Sequence, residues 1–202
     1  MVTVMTMRLL GWAMLLVGLD PSLNGFDVLP DVAGWAIAYA VVEEQALAHP
    51  EASVDFTRAK QAALLAGILG SITMALFFSE QSWDVLLHAV GLGEGLAALA
   101  ATWWMLMGVA AASTGRDQHL VHMARRLAVL MAGVLVGRAM AAGWSLSAAI
   151  AGHDATLGGT SGWVALRLLG ALVELAAYGA LAVFCFRLDG RPWLRPRLDP
   201  TA

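Results

Sequence analysis

Residues 20–35 read DPSLNGFDVLPDVAGW, a polar island between two apolar runs. Asp20, Asp27 and Asp31, Pro21 and Pro30, Asn24 and Gly25 crowd into it, and no lysine or arginine does. The chain on either side reads as lipid-facing, so the island is a turn between membrane helices. Pro30 fixes its own φ and disfavours helix at Leu29, which leaves Asp31 placed as an N-cap for a helix over residues 32–48. A carboxylate at a helix start also suits the helix dipole, and Gly34 allows another backbone to come close.

Composition supports the lipid reading. Of 202 residues 59% are hydrophobic and only 13% charged, with a mean hydropathy of +0.72. An ordinary soluble domain carries about 25% charged residues. A soluble fold of this length could not hide so much apolar surface, so the bilayer is the expected solvent. The single cysteine, Cys185, excludes an intramolecular disulfide and a cysteine metal cluster. One lysine against eleven arginines, with abundant Ala, Gly and Leu, fits a GC-rich bacterial genome. Arg8 and the apolar run after it resemble a signal peptide, but Asp20-Pro21 follows where a small-residue cleavage site would stand. The run is read as a retained first helix.

Outward from the island, the apolar runs predict six helices, at residues 4–19, 32–48, 62–78, 90–113, 127–150 and 163–186. The first two are short for a span of about 20 residues. The connections alternate in charge. Arg8 precedes the first helix, Arg58 and Lys60 lie between the second and third, and Arg116, Arg125 and Arg126 lie between the fourth and fifth. Arg187, Arg191, Arg195 and Arg197 follow the sixth, while 20–31, 79–89 and 151–162 carry no lysine or arginine. Basic residues in short connections mark the cytoplasmic side. The expected fold is therefore all-α: a polytopic bundle of six transmembrane helices over residues 1–186, then a basic tail over 187–202, with both termini in the cytoplasm of a bacterial cell. Acids alone on the opposite face, Asp20, Asp27, Asp31, Glu80, Asp84 and Asp154, need no explanation beyond that rule.

Two arginines break the pattern, Arg138 and Arg167, inside the fifth and sixth helices. A charge at the bilayer centre costs at least ~2.5 kcal/mol and so faces a partner or water. Arg138 and Glu174 both fall near mid-membrane. Arg167 and Glu94 both fall about four residues in from the outer side. Two ion pairs are expected, Arg138 with Glu174 and Arg167 with Glu94. Arg167, Glu174 and Tyr178 share one face of the sixth helix. Gly91, Gly95, Ala98 and Thr102 on the fourth helix, and Gly133 and Gly137 on the fifth, form small-residue stripes of the kind that let helices approach in lipid. These features place a charged core between the fourth, fifth and sixth helices. Glu43 and Glu44 are expected at the interface, snorkelling, with no basic partner at their depth.

Residues 24–35, NGFDVLPDVAGW, resemble a turn of uncharacterised small bacterial multi-pass membrane proteins, G-[FI]-D-x-[LF]-P-D-x-x-G-[WY] between the first two helices. Gly25, Phe26, Asp27, Leu29, Pro30, Asp31, Gly34 and Trp35 carry the pattern, with Phe56 and Ala59 after the second helix. The resemblance covers roughly the first sixty residues and implies a membrane location, with no established activity.

Other motifs are weaker. Asp20, Ser22, Asn24, Gly25 and Asp31 fall at positions 1, 3, 5, 6 and 12 of an EF-hand register. Asp27 at position 8, Pro30 at 11 and Asp rather than Glu at 12 argue against calcium, and no metal site is assigned. His119 and His122, near Asp117, lack further ligands. Ser113, Ser145 and Ser147 have no nucleophile-elbow context, and no phosphate-binding loop is present. The four tail arginines with Trp193 suit anionic lipid headgroups rather than nucleic acid. No cofactor is expected. Three function classes stay open: a structural or interaction component held by intramembrane ion pairs, a small-solute or proton-coupled carrier using Arg138, Glu174, Arg167 and Glu94, and, least supported, a membrane enzyme. Protein partners and oligomeric state are not legible.

Overall fold

A computed structural model describes residues 6–18, 28–77, 84–150 and 161–194, with the side chains of some helical residues, Arg167 among them, outside that description. Every regular element among the described residues is helical. Six α-helices run in order: α1 Met7–Gly18, α2 Val28–Ala48, α3 Ser53–Phe77, α4 Asp84–Ser113, α5 Gln118–Ile150 and α6 Ser161–Leu188. Single 3-10 turns lie at Pro50–Ala52 and Pro192–Leu194.

Among the described residues, four segments are long and apolar enough to cross a membrane: Pro50–Leu76, Val85–Ser113, Gln118–Met140 and Leu169–Leu188. The 12 residues of α1 reach ~18 Å at 1.5 Å per residue, short of a ~30 Å hydrocarbon layer. Among the described residues, length and composition thus mark four of the six expected spans.

Several boundaries differ from those expected, for one reason. Apolar runs report where a helix meets lipid, and a helix continues into the polar interface wherever its residues permit. So α3 begins at Ser53 rather than residue 62, α4 at Asp84 rather than 90, and α5 at Gln118 rather than 127. His119 and His122 consequently lie on α5, not in a loop. Similarly α2 begins at Val28, with Asp31 inside its first turn rather than at the N-cap. Pro30 is tolerated there because a first-turn N–H has no intrahelical acceptor. The α4–α5 connection is built from its sequence: Gly115 takes a φ of +78°, and Asp117 Oδ1 accepts a hydrogen bond from Leu120 N at 3.0 Å to cap α5.

The helices α2 to α5 pack chiefly on their chain neighbours, and α6 packs on α1, so the six close a ring. The α5–α6 side is much the sparsest of the six contacts. The core expected between α4, α5 and α6 is therefore distributed differently, since α6 leans on α1. Glycine placement follows this. A Cβ at Gly18 would lie 2.4 Å from Tyr178 Cβ, one at Gly11 2.6 Å from the Phe186 ring, and one at Gly34 2.8 Å from the Ala13 carbonyl oxygen. By contrast, a Cβ on Gly91, Gly95, Gly133 or Gly137 would meet nothing within 4 Å among the described residues. The glycines of the α4 and α5 stripes are not close helix contacts; Gly11, Gly18 and Gly34 are, as is Gly108 of α4 against the Phe56 ring.

The connections that carry basic residues meet at one end. Arg8 N donates to Asp189 Oδ1 at 3.3 Å, Arg191 Nη2 lies 3.4 Å from Asp117 Oδ2, and Arg116 Nη1 lies 3.5 Å from Glu51 Oε1. These contacts tie together the start of α1, the α2–α3 and α4–α5 connections and the segment after α6. The beginning of the tail is docked there, with Leu194 buried.

Candidate functional site

The interior of the ring gathers polar side chains from five helices. Arg138 on α5 donates through Nη1 to Glu174 Oε1 on α6, forming an ion pair across the sparse side of the ring. Arg138 precedes the end of α5 at Ile150 by twelve residues, ~18 Å, and Glu174 follows the start of α6 at Ser161 by thirteen, ~20 Å. Their equal depth on antiparallel helices brings them together. The side chains are 35% and 19% exposed, so the pair is half-buried rather than sealed.

Tyr178, one turn beyond Glu174, is fully buried, and its hydroxyl has no hydrogen-bond partner. Its phenol lies within electrostatic reach of Arg138, Glu174, Asp31 and Glu94. Asp31 arrives from the first turn of α2 and is itself only 6% exposed. Glu94 arrives from α4, where its Oε2 accepts a hydrogen bond from Thr73 Oγ1 of α3 at 3.4 Å and its Oε1 lies beside Gly70.

Glu94 follows the start of α4 at Asp84 by ten residues, ~15 Å of helix, since the helix begins six residues before its apolar run. The expected pairing of Glu94 with Arg167 lies outside the described residues; the contact shown is with Thr73. Of the turn motif, Asp31 and Gly34 belong to this region, Gly34 as the close contact with α1. Pro30 lies in the first turn of α2, and Asp20, Asn24, Gly25 and Asp27 lie outside the described residues. So do Asp20, Ser22 and Asn24 of the EF-hand register, which leaves Asp31 alone of it.

Sequence reasoning missed several contacts. Lys60 Nζ reaches Glu43 Oε1 at 3.0 Å, so Glu43 does have a basic partner. The early start of α3 carries Lys60 alongside α2. Arg58 lies over the Trp104 ring at 4.5 Å, which accounts for a tryptophan in an otherwise apolar stretch of α4. At the basic end, Gln45, His49 and Ser113 are buried with side-chain atoms lacking partners. Burial holds the His49 imidazole below its ordinary pKa of 6.5, opposed by Glu51 and reinforced by Arg116. Gln45 and His49 were legible in principle as polar residues four apart at the end of an apolar helix.

No family model, curated protein or solved structure matches the chain. The fold and its apolar helices define a class, a helical membrane protein with an ion pair in its interior. Any narrower reading rests on this chain's own residues.

Proposed function

We propose that the protein is a structural or interaction component of a bacterial cytoplasmic membrane, its bundle held closed by the Arg138–Glu174 pair. The observation that carries this is the position of the pair on the one side of the ring where helix contact is sparse. All six helices lie in the bilayer with both termini cytoplasmic. The gathering of the basic connections at one end supports this sidedness, as does the likeness of residues 24–35 to small multi-pass proteins. Anionic headgroups meet the basic tail.

The test has two arms. Arg138→Glu should abolish stable accumulation, and the exchange Arg138→Glu with Glu174→Arg should restore it. An exchanged protein no better than either single variant would dispose of the clamp. Tags in each connection should report alternate sides, and two consecutive tags on one side would undo the threading.

A second reading, a small-solute or proton-coupled carrier, is favoured by one observation: the half-buried pair lies one turn from the buried Tyr178, whose phenol is within electrostatic reach of Asp31 and Glu94 as well. Ionisable groups within a membrane domain commonly mark a solute path. Solute-driven flux in proteoliposomes, lost in Glu94→Gln, is its expected signature; a tight, inert vesicle would exclude it.

A further inference from the structure

We infer that the outward face of α5 at the basic end binds the headgroup of an anionic phospholipid, held by Arg125 and Arg126 with His122 one turn before them. The site is separate from the basic tail. It rests on the basic end lying at the membrane surface, which the tags in the connections test independently.

The first turns of α5 divide cleanly by side. Leu120, Val121, Ala124 and Ala128 are buried, whereas His119, His122, Arg125 and Arg126 are exposed. The helical period explains the division, since residues three and four apart share a face. Among the described residues no hydrogen bond, ion pair or ring contact engages the side chains of these four. The other cations near this end are engaged: Arg58 lies over Trp104, Arg116 reaches Glu51, and Arg191 reaches Asp117. That last contact matters most, because Asp117 is the acid next to the start of α5, and it is already taken. Two adjacent guanidinium groups therefore face outward with no acid of this chain to balance them.

Placement then selects the occupant. His122 lies three residues before Arg125 and four before Arg126, so its Cβ is about 5–6 Å from each. The three side chains span ~6 Å of helix rise, about the depth of one headgroup layer beside a ~30 Å hydrocarbon core. Immediately beyond, the same face turns apolar at Val129 and Leu130, which are 65% and 52% exposed. A molecule that fits must be anionic at the level of Arg126 and hydrocarbon at the level of Leu130, which describes an anionic phospholipid standing along the helix. The guanidinium forks match phosphate oxygens, and the imidazole adds an N–H donor between them. A zwitterionic lipid would bring an ammonium group beside the same two arginines and is disfavoured.

The experiment uses the full chain in neutral detergent, with bound lipid counted by native mass spectrometry as phosphatidylglycerol or phosphatidylcholine is titrated in. The native chain should bind phosphatidylglycerol at least tenfold more tightly than phosphatidylcholine. Arg125→Gln and Arg126→Gln should each weaken that binding at least threefold, and together at least tenfold. Both positions are exposed, so the double variant should keep the native Tm without lipid. Arg187→Gln, an equal loss of charge at the same end but on α6, should stay within twofold of the native chain. Millimolar glycerol phosphate, which has the phosphate without the chains, should leave the lipid bound. Equal affinity for the two lipids would overturn the site. So would a loss in Arg187→Gln as large as in Arg126→Gln, which would reduce the effect to the general charge of this end. Displacement of the lipid by glycerol phosphate would overturn the lipid as its occupant.

Discussion

On the α1 side of the bundle, helices meet closely at glycines; on the α5–α6 side they are joined by two charged side chains. At Gly18, Gly11 and Gly34 a single added carbon would fall inside a neighbour. At Gly133 and Gly137, on the helix that carries Arg138, the same carbon would meet open space among the described residues. Lipid offers no hydrophobic force between helices, so association relies on close contact or on polar bonds. The ring uses one device on each side. Close contact is rigid, while a pair of charges can separate if something else satisfies them. This locates the side of the molecule able to open.

The contrast breaks first at glycine. Gly18→Leu should remove folded protein altogether, because its side chain would occupy the space of the buried Tyr178. Gly34→Ala, meeting the Ala13 carbonyl oxygen at 2.8 Å, should destabilise by ~1–3 kcal/mol. Gly133→Ala should be neutral, or stabilising by up to ~1 kcal/mol through helix propensity. Reversible unfolding in mixed micelles measures all three. If Gly133→Ala proves as damaging as Gly34→Ala, the two sides do not differ as described.

Smaller effects belong to the basic end. Asp117→Ala removes the cap of α5 and the partner of Arg191, and should cost ~1 kcal/mol while making the tail more sensitive to protease. Trp104→Leu should cost ~0.5–1 kcal/mol by removing the ring beneath Arg58, and Arg58→Gln should cost no more in that background than alone.

A pH dependence follows from His49. Its folded pKa is lowered, chiefly by burial, so the unfolded chain takes up its proton first as pH falls. The contribution of this residue to stability is complete above pH 6.5, the ordinary value, and declines as pH drops toward the lowered folded value. Unfolding between pH 7.5 and 5 should show this loss in the native chain and a smaller one in His49→Gln. An equal slope in both would remove His49 as its source.

How much of this was legible beforehand depends on what each feature answers to. The helical class and the equal depth of Arg138 and Glu174 follow from counting residues along apolar runs, because 1.5 Å per residue converts position into depth. Helix starts were misplaced where polar residues such as those at 53–61 continue a helix past the lipid, since hydropathy reports solvent rather than backbone. The same error hid the Lys60–Glu43 contact. Glycine stripes were misread for another reason. A stripe says that a helix can be approached closely, and only the ring order says which helix approaches. Asp31 was recognised in its turn but not as a charge acting on Tyr178, because that depends on where α6 folds back against α1.

The account turns on the ion pair holding the sparse side of the ring, and a distance measured across that side tests it most directly. In a chain with the buried Cys185 replaced by alanine, spin labels at Val136 of α5 and Leu172 of α6, both exposed, report the separation of the two helices. A narrow distribution is predicted for this protein in vesicles, broadening and moving outward in Glu174→Gln, while labels at Leu96 and Leu130 across α4 and α5 stay unchanged. An α5–α6 distribution indifferent to the loss of the Glu174 charge would contradict the account.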